Sequence, residues 1–325
     1  MSTTKASDAA LETCAVVFNA PRELVLKRLT LEPPAGDEIL VDVEWSGIST
    51  GTEKLLWQGR MPEFPGMGYP LVPGYESVGR ISATGPTSQA RIGTRVFVPG
   101  ARCFGEIRGL FGGAASRLVV AEDRVLPVDS ENGEEGILLA LAATAYHALA
   151  VDGRIRAPDL IVGHGILGRL LARLTIALHG TAPTVWEIDT RRSDTDGTYK
   201  ILQPRDDARR DYRCVVDVSG DAGILDAVMP HLAVQGEIVL AGFYSESVHF
   251  VFPPAFMREA TVRIAAQWQR GDLAAVAKLV ADKKLSLAGL ITHRAPASDA
   301  SVAYGTAFDD PGCLKMILDW RSAAC

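Results

Sequence analysis

The chain has 325 residues, 47% hydrophobic and 22% charged, with a formal charge of −6, which is enough chain for two domains with large cores. A net negative charge without a basic run excludes a partner held by many phosphate contacts, such as DNA or RNA. No apolar stretch reaches the length of a spanning helix and the first ten residues lack the charged-then-apolar order of a signal peptide, so a cytoplasmic location is expected.

From Cys14 to Val128 the pattern is short β-rich runs punctuated by Gly and Pro, at 15–18, 38–45, 77–82, 94–98 and 116–120. This predicts a small β-barrel-like domain. Residues 133–149 are rich in Ala and Leu at helical spacing, and from Leu160 strands and helices alternate as in a parallel sheet. The domain change is expected near Asp152, giving units at 1–151 and 152–290, with 291–325 returning to the first. The five cysteines, at 14, 103, 214, 313 and 325, are odd in number and far apart, which predicts reduced thiols.

The most informative stretch is 159–168, an apolar strand running into Gly163-His164-Gly165-Ile166-Leu167-Gly168 and then into a helical pattern closed by Gly180. In a dinucleotide-binding turn the first glycine allows the bend, the second admits a pyrophosphate and the third lets helix pack on strand. The helix N-terminus then offers free N–H groups to phosphate. A second strand, 184–188, leads to Asp189, at the spacing expected for a carboxylate on the adenosine ribose. That carboxylate argues for NAD, because it repels a 2′-phosphate, although Arg191 and Arg192 stand beside it.

Residues 190–197 are polar and turn-like, so the helix expected there is missing. A strand at 212–218 ends at Ser219-Gly220, a helix follows over 223–232, and a strand at 237–241 ends at Gly242. These strand ends are where ligands bind in open α/β sheets. A helix is expected over 272–282. The cofactor-binding candidates are Gly163, His164, Gly165, Ile166, Leu167, Gly168, Asp189, Ser219 and Gly242.

The order of motifs resembles the medium-chain dehydrogenase/reductase superfamily over nearly the whole chain, on Gly47-Ile-Ser49, Pro73-Gly-Tyr-Glu76, Gly93-Thr-Arg-Val96, Thr144-Ala-Tyr-His147, the glycine turn, Val218-Ser-Gly220, Gly236-Glu-Ile-Val239 and Gly289-Leu-Ile-Thr292. The resemblance implies a Rossmann-type doubly wound α/β sheet joined to a GroES-like β-barrel catalytic domain. Within the superfamily, residues 46–62 resemble the enzymes of bacteriochlorophyll synthesis that oxidise a 1-hydroxyethyl group at C3 of a (bacterio)chlorophyllide with NAD. A tetrapyrrole substrate is thereby implied. Zinc-dependent members carry a Cys, a His and a third Cys or acid where this chain has Ser49, Tyr75 and Ala140. Neither hydroxyl nor methyl replaces a thiolate, so no catalytic zinc is expected and no metal ligand is assigned. A minority alternative would have Glu53, Glu76 and His147 converge on a metal.

With the zinc ligands replaced, Ser49, Thr52, Glu53 and Tyr75 become the catalytic candidates, since general acid–base help from such groups is typically worth roughly a hundred- to ten-thousand-fold. The loop carrying Trp57, Arg60, Met61, Phe64, Met67 and Tyr69, with Phe243 and Tyr244, is expected to offer an apolar slot edged by a cation. The run 249–257 is read instead as an interface in a homodimer through the Rossmann domain. Two rival readings stay open: an enoyl or quinone reductase, and a cofactor-binding protein without turnover.

Overall fold

The computed structural model describes residues 10–128, 130–151, 153–194 and 197–322; the boundary expected at Asp152 and the thiol of Cys325 lie outside them. The first part of the chain is β-rich because short β-branched runs alternate with glycine and proline turns. Its strands are β1 (Glu12–Ala20), β2 (Glu23–Thr30), β3 (Glu38–Ile48), β4 (Leu71–Val72), β5 (Ser77–Thr84), β6 (Arg95–Val98), β7 (Arg108–Gly109), β8 (Arg117–Ala121) and β9 (Leu126–Pro127), with helix α1 (Thr52–Gln58) after β3. They form a four-stranded sheet ordered β2-β1-β4-β7 and a seven-stranded sheet to which the end of the chain contributes. That second sheet runs β18-β19-β3-β5-β6-β9, where β18 is His293–Pro296 and β19 is Met316–Asp319, and β8 pairs with β3. β19 lies antiparallel to β3, Met316 opposite Ile48 and Leu318 opposite Ser46.

Helix α2 (Leu139–Leu149) leads through the two-stranded hairpin β10 (Ala150–Val151) and β11 (Arg154–Ile155) into the second unit. There β12 (Leu160–Val162), β13 (Thr184–Trp186), β14 (Lys200–Leu202), β15 (Tyr212–Asp217), β16 (Leu232–Leu240) and β17 (Thr261–Ile264) form a six-stranded parallel sheet ordered β14-β13-β12-β15-β16-β17. Its helices are α3 (Ile166–His179), α4 (Ile224–Val228), α5 (Phe252–Met257) and α6 (Arg270–Ala281); α7 (Ala300–Asp309) precedes β19. The helix expected over 223–232 is shorter, because Pro230 turns its last part into a single 3₁₀ turn. Between β13 and β14 the described residues hold only a 3₁₀ turn, Thr190–Arg192, yet β14 still pairs parallel with β13.

Helix α2 explains how the two units share a core. It is apolar almost all round, and a helix of that kind must be covered on every side. It is covered by Trp45, Val78 and Phe97 from the barrel and by Leu170, Leu174 and Val276 from α3 and α6, all buried in one cluster. Cys103, Cys214 and Cys313 are free, as read from the sequence, whereas Cys14 is disulfide-bonded, which corrects the expectation of reduced thiols throughout.

Candidate active site

Strand β3 ends at Ile48, and the turn into α1 gathers the four catalytic candidates. Ser49 Oγ accepts from the Thr52 N–H (3.3 Å), while Glu53 reaches back to accept from the Ser49 N–H (3.0 Å). This reciprocal pairing works like a capping box, satisfying N–H groups that a helix start leaves open. Tyr75 enters from the turn before β5 and donates its hydroxyl to Ser49 Oγ at 2.9 Å, with Thr52 as a second hydrogen-bond partner. Its ring stands edge-on to Phe111 at 5.5 Å. Burial pushes the Tyr75 phenol up and the charge of Glu76 adds to this, so near neutral pH it is a phenol and not a phenolate. Ser49, Thr52 and Tyr75 thus meet in one hydroxyl cluster.

Glu53 belongs to the layer behind them. Its side chain is buried, and its second oxygen accepts from the hydroxyl of Tyr304 on α7 at 2.6 Å. Burial raises its pKa to about 7, opposed by the Tyr304 and Ser49 hydrogen bonds. Beside it lies an ion pair of two residues each 1% exposed, Glu76 with Lys315, and the Lys315 ammonium also donates to the Ile48 carbonyl (3.1 Å). Gly47 makes room for this pair: a Cβ there would lie 2.2 Å from Glu76 Oε2. Tyr304 and Lys315 escaped the sequence reading, although a lone lysine in the apolar run Leu314-Lys-Met-Ile-Leu318 was a usable signal, since a lysine is almost never fully buried without a partner.

These side chains do not make a zinc site of the superfamily's pattern. Ser49 and Tyr75 bond each other, and Ala140 is a buried methyl on α2. Glu76 is held by Lys315, and His147 is drawn away to Asp272 at the start of α6, Nδ1 to carboxylate 2.8 Å. Glu53, Glu76 and His147 therefore do not converge, and among the described residues no three His, Cys, Asp or Glu gather in a way that could hold a metal.

The glycine turn is closed tightly between β12 and α3. Gly163 sits at φ 99°, and a Cβ on Gly168 would lie 1.9 Å from the Gly163 carbonyl, so only glycine lets α3 approach β12 this closely. Gly165 caps α3, ahead of Ile166 and Leu167, and the only neighbour a Cβ there would meet within 4 Å among the described residues is Arg192 Nη1, at 4.0 Å. The His164 N–H donates to Glu187 Oε2 at 2.9 Å, and Glu187 also accepts from the Asp189 N–H at 2.8 Å. The carboxylate against the turn is thus that of Glu187, which the spacing argument passed over in favour of Asp189. Asp189 is bound through both oxygens by Arg191, at 2.8 Å each, and the hydrogen bonds from Arg191 hold its carboxyl below the usual range. Gly163 and Ser219 adjoin at the ends of β12 and β15, and Gly242 lies against Gly220 and the Tyr244 hydroxyl. Tyr244 in turn bonds the buried Asp217.

The expected apolar slot divides. Trp57, Met67 and Tyr69 pack against the barrel core, Met61 is buried, and Tyr69 bonds the Leu56 carbonyl, whereas Phe64 and Phe243 are exposed. Arg60 reaches Glu246 in the other unit at 3.6 Å. In the run 249–257, Phe250, Phe252, Phe256 and Met257 are exposed, beside the edge strand β17 with Val262 and Ile264 also open.

Residues 35–130 match the alcohol dehydrogenase GroES-like domain. The chain is 54% identical to the 2-desacetyl-2-hydroxyethyl bacteriochlorophyllide A dehydrogenase of Cereibacter sphaeroides, over 97% of this chain and all of that one. It is also 54% identical to the protein of the same name from Rhodobacter capsulatus, over 96% of this chain and all of that one. Among solved structures, L-idonate 5-dehydrogenase from Escherichia coli superposes with a TM-score of 0.83 at 16% identity, covering 95% of this chain and 98% of that one. An alcohol dehydrogenase from E. coli CFT073 complexed with NADH gives 0.81 at 18%, covering 95% and 99%. A dehydrogenase from Sinorhizobium meliloti bound to NADP gives 0.78 at 17%, covering 95% and 99%. These structures share the fold.

Proposed function

The chain belongs to the family of the 2-desacetyl-2-hydroxyethyl bacteriochlorophyllide A dehydrogenases, within the medium-chain dehydrogenases/reductases, and from that premise we propose that it oxidises the C3 1-hydroxyethyl group of a (bacterio)chlorophyllide to acetyl. The observation that carries the reading is the identity of 54% over 97% of this chain and all of its relative, a span that takes in the hydroxyl cluster and the glycine turn together. The reaction breaks the carbinol C–H bond, turns C–O into C=O and releases the hydroxyl proton. A nicotinamide cofactor, when bound, accepts the hydride with its electron pair.

The proton is the task of this chain's own residues. Tyr75, kept neutral, hydrogen-bonds the carbinol oxygen, and Ser49 and Thr52 continue the hydroxyl chain by which a proton can leave. Such a chain suffices here because the carbinol carbon adjoins a conjugated macrocycle that spreads the positive charge left by hydride loss, so less alkoxide character is required than zinc would otherwise induce. Glu53 acts from behind, fixing Ser49 through its N–H. Zinc does not fit this set of donors.

For the cofactor, NAD is the proposed partner. Gly163, Gly165 and Gly168, with the backbone of His164, Ile166 and Leu167, form the pyrophosphate turn; Glu187 and Asp189 face the ribose, where carboxylates disfavour a 2′-phosphate. Ser219 and Gly242 line the nicotinamide side. The exposed apolar face of α5 and the open edge of β17 support a homodimer, since an apolar edge strand is a ready template for pairing. No helix among the described residues is long and apolar enough to cross a membrane, and a cytoplasmic location, where the cofactor pool is held, completes the proposal. The test is direct: mix protein, NAD and hydroxyethyl bacteriochlorophyllide and follow the long-wavelength absorption band. Conjugation of a new acetyl group moves it to the red; an unmoved band with folded protein and authentic pigment refutes the reading.

A further inference from the structure

His164 is a buried titratable group that the reaction leaves unused. It is fully buried, and its N–H and both ring nitrogens are taken: the N–H by Glu187, Nδ1 by the Arg192 carbonyl at 2.5 Å, and Nε2 by the Tyr199 hydroxyl at 2.7 Å. A carbonyl only accepts, so Nδ1 carries the hydrogen and Nε2 accepts from Tyr199. Burial pushes the imidazole below its ordinary pKa, which keeps this neutral form in place. One ring therefore ties the glycine turn to both flanks of the segment between β13 and β14, whose described residues hold a 3₁₀ turn and no crossover helix.

The tie has a consequence for charge. Three arginines border the turn. Arg191 is spent on Asp189 and Arg169 on Asp194 at 2.6 Å, whereas Arg192 forms no ion pair among the described residues. Its Nη1 lies 4.0 Å from where a Cβ on Gly165 would sit, above the first turn of the fourteen-residue helix α3. We propose that Arg192 is a pyrophosphate clamp, and that His164 and Tyr199 are positioning residues that hold it over Gly165.

The inference rests on the cofactor reading, and the experiment separates the two. Calorimetric titration of the full chain uses ADP-ribose, its 2′-phosphorylated form, and adenosine as a control without phosphate. Failure of the unsubstituted protein to bind ADP-ribose sinks the cofactor reading itself. If it binds, Arg192→Gln is expected to weaken ADP-ribose about tenfold or more, as loss of a hydrogen bond to a charged group does, with adenosine unchanged. Tyr199→Phe and His164→Asn should each weaken ADP-ribose severalfold, but cost nothing further when Arg192 is already Gln, a coupling that mere structural support would not produce. Unchanged ADP-ribose affinity in Arg192→Gln, equal losses for adenosine, or a loss confined to the 2′-phosphorylated ligand overturns the proposal.

Discussion

Replacing Glu53 by Gln should change how stability depends on pH. Burial is the main reason this carboxyl titrates at about 7 rather than at its ordinary 4.5, with Glu76 adding to the rise, while Tyr304, Ser49 and Lys315 oppose it. A raised carboxyl pKa means that the native state holds a proton the unfolded chain has already lost. Stability from this group is thus full below about pH 4.5 and is lost progressively up to about pH 7, and the shift corresponds to roughly 3 kcal/mol. Gln keeps an oxygen for the Ser49 N–H and turns an N–H₂ toward the Tyr304 oxygen, so the site stays bonded without the charge. Urea unfolding from pH 5 to 8.5 should show Glu53→Gln gaining on the unsubstituted protein by about 2–3 kcal/mol as pH rises. Parallel pH profiles for the two proteins would refute the argument, because they would mean that Glu53 does not lose its proton at a cost inside the barrel.

Tyr75→Phe removes the hydroxyl proposed to bond the carbinol and is expected to lower kcat at least about a hundredfold with the ADP-ribose affinity unchanged; unaltered turnover would remove Tyr75 from the proton route. Lys315→Met leaves the buried Glu76 carboxylate without its cation, a loss of about 3–5 kcal/mol in unfolding free energy, most of which Glu76→Gln in the same chain should restore. Gly168→Ala drives a methyl to within 1.9 Å of the Gly163 carbonyl, and should cost about 1–3 kcal/mol along with ADP-ribose binding, measured by unfolding and by titration. Ile264→Lys puts a charge on the open edge of β17 and should yield a monomer in light scattering; a native-size particle would move the subunit contact elsewhere.

The parts of the fold legible in the sequence are those with local periodicity. The glycine turn, the apolar helix α2 and the parallel strands each carry their signal within about twenty residues. The short crossing after Asp189 was legible too, from polarity alone. What stayed hidden depends on which distant elements meet. Nothing near Glu53 announces Tyr304, and nothing near Glu76 announces Lys315, because the return of β19 alongside β3 brings them together. Spacing chose Asp189 as the carboxylate at the turn, but Arg191 two residues on claims it, and Glu187 turns inward to the His164 N–H. The aromatic loop misled in the opposite sense, since apolar side chains on a loop read as a slot when several of them simply close the barrel core.

The pairing of β19 with β3 also sets a timetable for synthesis. Glu53 and Tyr304 stand 251 residues apart in the chain, and at the ribosome's pace of about 5–20 residues per second the second emerges roughly 12–50 s after the first. Throughout that interval the nascent barrel holds two acidic side chains destined for its interior and neither of their partners. It cannot close early around them, and a transcript cut short before β19 should leave a half-built product for proteases and chaperones to clear.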